Sequence, residues 1–205
     1  MKKYIVLAIS VAVLNISTAN VGLAHSVDTV VLQEEAPEAE VLLDKAIDAE
    51  TAGNTEALVQ SLSAGTAALE KEANADKGSF KDKLLSQAGA LQKLAPLAKS
   101  GALQGGTLKK IINTVKMLLA AKRIEGMLGG SNLLGSATGL TKNLGLMKVG
   151  MSALGGDSQD KLGGLLNSAM GSVGNLSKGG IAAKTAEPVA KKQLGGILDF
   201  VKGAI

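Results

Sequence analysis

Cysteine and tryptophan are absent from this 205-residue chain, histidine occurs once, and the aromatic residues are Tyr4, Phe80 and Phe200 alone. Without cysteine there are no disulfide staples, thiol nucleophiles, thiolate metal sites or lipid attachment through an N-terminal cysteine. The single histidine, His25, makes neither imidazole acid–base work nor a His metal site expected. The shortage of rings bears on binding as well. Single-stranded nucleic acid is held by stacking on aromatic side chains, and the chain has none to spare, so no nucleic-acid partner is expected.

The same shortage constrains the fold. A core must be assembled from Leu, Ile, Val, Met and Ala, which suits close helix packing. Strands draw on β-branched and aromatic residues in alternating runs, and no such run follows the N-terminal segment. The expected class is all-α, a multi-helix bundle.

The first 24 residues have the form of a signal peptide. Lys2 and Lys3 are followed by an apolar run from Tyr4 to Ile16, broken by Ser10 and Asn15, and small residues offer cleavage after Ala19 or Ala24. The run is short for a membrane span of about 20 residues. A Sec-type leader implies a periplasmic or extracellular destination in a bacterium. Residues 25–36, with Val27, Val30, Val31 and Leu32, read as an extended tether.

A helical core is expected over residues 37–128. Pro37 suits a helix start, with Glu38 and Glu40 in the first turn, where acids complement the helix dipole. Leu42, Leu43, Ala46 and Ile47 supply an apolar face, and Gly53-Asn54 ends it. Asn54 or Thr55 then caps a second helix carrying Leu58, Leu62, Gly65 and Leu69, so that the two form an antiparallel hairpin. The hairpin is superficially similar to a tetratricopeptide repeat in its small residues Ala57, Ala64 and Ala68. The spacing from Gly53 is off, the aromatic positions are missing and no second copy follows, so no functional residue is carried over. Ser79 is expected to cap a third helix with Leu84, Leu85, Ala88, Leu91 and Leu94, ended or kinked by Pro96.

The best-formed amphipathic stretch is Thr107 to Leu128. Leu108, Ile111, Ile112, Val115, Leu118 and Leu119 form one stripe, with Lys109, Lys110, Asn113, Lys116 and Arg123 on the other side. Thr107 is the expected N-cap, and Gly129-Gly130 the stop. Beyond it, residues 129–205 form a Gly-rich helical region. Gly pairs at 105–106, 129–130, 155–156 and 179–180 punctuate helical units of about 20 residues, roughly 30 Å each. Thr107, Ser131 and Asp157 follow the first three pairs as N-cap types. In the last unit, Leu194, Ile197, Leu198 and Val201 make a short amphipathic end after Pro188.

Charge divides along the chain. His25 to Asp82 holds 13 Asp/Glu against four Lys, and Lys83 to Ile205 holds 16 Lys/Arg against five acids. That asymmetry suits two uses: holding the halves together, or presenting a basic face to an anionic surface. For the second use the candidate residues are Lys109, Lys110, Lys116, Lys122 and Arg123, with the solvated side of a helix as the plainer reading. The carboxylate pairs Glu34/Glu35 and Asp157/Asp160 read as a solvated tether and a helix start. No phosphate-binding loop follows a strand. No enzyme, cofactor, metal or small-molecule substrate is expected.

The function these features favour is that of an exported, non-enzymatic helical protein of the bacterial envelope. Its expected partner is another envelope protein or a second copy of itself, met through a helical face. The alternative is membrane activity or anionic-lipid binding through the Gly-rich basic C-terminal helices.

Overall fold

The glycine pairs at 129–130, 155–156 and 179–180 fall at corners, whereas Gly163-Gly164 and Gly195-Gly196 lie inside helices, and the segments between corners are largely helical. The computed structural model describes residues 38–104, 106–130 and 133–205. The expected signal peptide, tether and Pro37 helix start lie outside them, as does the Ser131 cap. The helices are α1 (Ala39–Thr51), α2 (Thr55–Asn74), α3 (Lys81–Lys99), α4 (Thr107–Leu128), α5 (Ala137–Gly150), α6 (Gly156–Leu176) and α7 (Gly180–Ala204). Short 3₁₀ turns at 134–136 and 151–153 flank α5, and no strand occurs among the described residues. Helices on both sides of residue 128 belong to one packed unit.

Sequence neighbours pack against each other throughout, from the α1–α2 pair to the α6–α7 pair, and α1 and α7 both return to α4. This makes α4 the axis of the core. Leu108, Ile112, Val115, Met117 through Ala121 and Ile124 are all fully buried, a wrap wider than the single stripe its sequence shows. Asn113 and Lys116, assigned above to the solvated side, are also buried. A helix with neighbours on several sides leaves its polar residues nowhere to point but into other helices. Asn113 meets this by donating its amide N–H to Ser152 Oγ at 2.8 Å.

Several local expectations are corrected. Thr107 is the first helical residue and Gly106, at φ 86°, is the N-cap. Asp157 sits inside α6 after the Gly155 cap. Ser79 does not cap α3, which starts after Phe80, because its hydroxyl and N–H are both turned to Glu125 of α4. Of the two candidates before α2, Asn54 is the cap, its Oδ1 accepting the Ala57 N–H at 3.0 Å.

Pro96 and Pro188 end nothing. The one lies inside α3 and the other inside the 25-residue α7. Both rings are exposed, as are Gln92 and Lys184 four residues back, whose carbonyls lose their helical donor. On a wet face that loss is small, and the helix continues.

Two glycines let helices meet closely. A Cβ on Gly65 of α2 would lie 2.7 Å from Leu43 Cδ2 and 3.2 Å from the Leu43 backbone nitrogen. Gly65→Ala should therefore lose about 1–2 kcal/mol in urea denaturation, since Leu43 can yield only partly. Equal stability would show that α1 and α2 have room to part. The second, Gly150, is taken up in the Discussion.

Candidate interaction surface

Five basic residues of α4 were set out above as a candidate anionic-surface contact, and the structure divides them. Lys109 and Lys110 are exposed and have no ion pair among the described residues. The other three face inward to the acidic hairpin. Lys116 is paired with Asp44 of α1. Lys122 Nζ donates to the Glu72 carbonyl at 3.0 Å and lies 3.4 Å from its carboxylate. Arg123 Nη1 lies 2.9 and 2.8 Å from the two oxygens of Glu40, and Nη2 3.5 Å from Glu38 and 3.4 Å from Glu72. Lys142 of α5 approaches Glu38 at 3.9 Å. The division of charge along the sequence thus joins the two halves at Lys116, Lys122 and Arg123, with Lys142 adding a longer contact.

The cluster around Arg123 has unequal acids. Burial pushes the Glu40 carboxyl above its usual range despite the guanidinium beside it. Glu38 moves the other way, chiefly through its hydrogen bond with Glu40, helped by Arg123 and Lys142. Burial pulls against the charge of Arg123, but Glu40, Glu72 and Glu38 outweigh it and raise its pKa. Glu40 is the first-turn acid of α1 as expected, and it is also a buried clasp for α4.

A second clasp lies at Glu125, which accepts Ser79 Oγ–H at 2.6 Å, the Ser79 N–H at 3.1 Å and Lys202 Nζ at 3.2 Å. Lys202 also sits 5.4 Å from the centre of the buried Phe80 ring. Burial favours the protonated Glu125, yet these donors prevail and hold its pKa below the usual 4.5. A lowered folded value means that the ionised carboxylate adds stability above pH 4.5, which is lost as pH falls through the folded pKa. Melts between pH 3 and 7 should show Glu125→Gln losing stability at pH 7 and declining less than the parent on acidification. Parallel curves for the two proteins would dismiss this clasp.

An open apolar surface runs along the seam of α6 and α7. At one end Leu165, Pro188, Val189, Lys192, Gln193 and Gly196 line an open hollow of about 670 Å³. At the other, Ser172 and Asn175 of α6 and Lys178 of the turn after it face Ala182, Thr185, Ala186 and Val189 of α7 around about 370 Å³. Val189 is shared, so the two hollows form one trough. Val189 is 49% exposed, and Ile181, beside Ala182 at the corner, is 83% exposed. The lining holds two lysines and no carboxylate.

The sequence points to this trough only faintly. By sequence Pro188 falls inside the last unit and only Leu194–Val201 beyond it reads as an amphipathic end, which leaves the full extent of α7 unread. Extending the Leu194–Val201 stripe backwards by threes and fours through Ala190, Ala186 and Ala183 would have revealed it. Among the described residues, no group of three or more Asp, Glu or His side chains is placed to hold a metal ion. No described helix is long and apolar enough to cross a membrane. Comparison with models of protein families, with curated proteins and with solved structures finds no match to this chain.

Proposed function

We propose that this chain is an exported, non-enzymatic helical protein of the bacterial envelope that works by binding another macromolecule, with the α6–α7 seam as the contact. The partner class is another envelope protein or a second copy of the chain. One observation carries the reading: a solvent-open apolar trough, bounded by lysines, on a protein whose other large hydrophobic residues are mostly enclosed. Helix faces of this kind are a common mode of protein recognition. Export rests on the leader-like composition of residues 1–24.

The test places a photo-cross-linking residue at Val189 and, in a separate protein, at Val41 of α1, which is similarly exposed. Irradiated envelope fractions should yield an adduct at 189 that is missing at 41 and lost when Gly196→Leu fills the trough. Matching adducts at both positions would remove the seam from consideration. N-terminal sequencing of the fractionated protein addresses export, and an intact leader on soluble cytosolic protein would exclude it.

A second reading, anionic-lipid binding, is favoured by the exposed Lys109 and Lys110 at the start of α4 and by Lys178 and Lys192 along the seam. It calls for a salt-sensitive pellet with anionic vesicles and none with neutral ones.

A further inference from the structure

We infer that the α6–α7 trough is a receptor for an amphipathic helix with an acidic flank, supplied by another polypeptide. The inference rests on the binding role proposed above and names the chemistry of the partner.

Length comes first. From Ala182 to Gly196 the trough follows α7 for 15 residues, about 21 Å at the helical rise. That matches roughly four turns of an incoming helix. Shape agrees with this, since the furrow between two packed helices is where side-chain ridges of a third can settle. Gly196 lowers the wall: a Cβ built there meets nothing within 4 Å, so a neighbouring backbone can come near.

Charge selects among helices. Lys178 stands at one end of the trough and Lys192 towards the other, neither has an ion pair among the described residues, and no acid lines it. A helix with Glu or Asp beside its apolar stripe meets both lysines, whereas a basic helix is repelled.

The test uses the whole protein and a fluorescein-labelled synthetic amphipathic helix of about 16 residues, matched to the trough, with a Leu stripe flanked by Glu, Gln and Ser. Its twin carries Lys in place of Glu. Anisotropy should show saturable binding of the acidic peptide, with the basic twin weaker by about tenfold or more. Lys192→Glu should narrow or invert that preference. Gly196→Leu should abolish binding while leaving the melting temperature at or above that of the parent, because its side chain starts in open space.

Indistinguishable peptides, no binding of either, or full binding by Gly196→Leu would each overturn the inference. So would Gly196→Leu-sensitive sedimentation with phosphatidylglycerol vesicles in place of peptide binding. If the peptides fail while the Val189 adduct is still lost in Gly196→Leu, the acidic-helix assignment falls and the binding seam stands. If that adduct is also unaffected, both fall.

Discussion

Gly150→Ala should destabilise the protein by about 3 kcal/mol and lower its melting temperature by about 6–12 °C, despite improving helix propensity. A Cβ at this position, on the last turn of α5, would lie 2.6 Å from the Asn113 carbonyl oxygen, 2.8 Å from Met117 Cβ and 2.9 Å from the Met117 nitrogen. Two of these three atoms belong to the backbone of α4 and cannot rotate away. Alanine gains only about 0.5–1 kcal/mol over glycine in a helix interior, so the collision prevails. The same helix supplies the control. Gly145 has no atom within 4 Å of a built Cβ, and Gly145→Ala should raise stability by about 0.5–1 kcal/mol. Gly139 is intermediate, because the atom it would meet is the flexible Met127 Cε at 2.9 Å. Thermal melts followed at 222 nm check the series, and equal stability at 145 and 150 would refute the close α4–α5 crossing.

Arg123→Met should cost about 3 kcal/mol at neutral pH, because it strips the counter-charge from acids held against α4. The Glu40 side chain is only 9% exposed, and Arg123 is its sole cationic partner among the described residues. Glu38 keeps Lys142 at 3.9 Å and Glu72 keeps Lys122 at 3.4 Å, so both retain some compensation. Most of the loss therefore falls on Glu40, and adding Glu40→Gln to Arg123→Met should recover at least about 1 kcal/mol. Acidity should narrow the gap as well, since protonating the stranded carboxyls removes the charge that lacks a partner. Urea denaturation of the four proteins at pH 7 and pH 4 reads all of this. A gap that widens at pH 4 would mean that Arg123 acts by packing its stem rather than by neutralising Glu40.

Much of the architecture was legible because it depends on local rules. The glycine pairs at 129–130, 155–156 and 179–180 mark corners, although those at 163–164 and 195–196 lie within helices. The bounds of α4 follow from one apolar stripe between two such pairs, and the α1–α2 hairpin follows from Gly53-Asn54. What escaped was decided by neighbours. Lys116, Lys122 and Arg123 read as a solvated side because a helical wheel shows residue types but not what stands opposite them. Only the opposed charge of the two halves hinted that their partners lie within the chain. Pro96 reads as an end or a kink because proline disfavours a helix interior, yet it falls on an exposed face where an unbonded carbonyl is cheap. The seam was hidden because only the part of α7 beyond Pro188 read as amphipathic, so one of its walls was not seen whole.

The return of both α1 and α7 to a single axis has a consequence for how the chain is made. Residues 39–99 can zip up in sequence order, but the first ring of contacts cannot shut until the stretch ending at Leu128 has emerged from the ribosome. The second ring then closes from the other side, on a template already in place. Because nearly every other contact joins adjacent helices, assembly should be quick once that template exists. A nascent chain stalled before residue 107 should stay open to protease, whereas one stalled after the exposed segment reaches residue 128 should resist it.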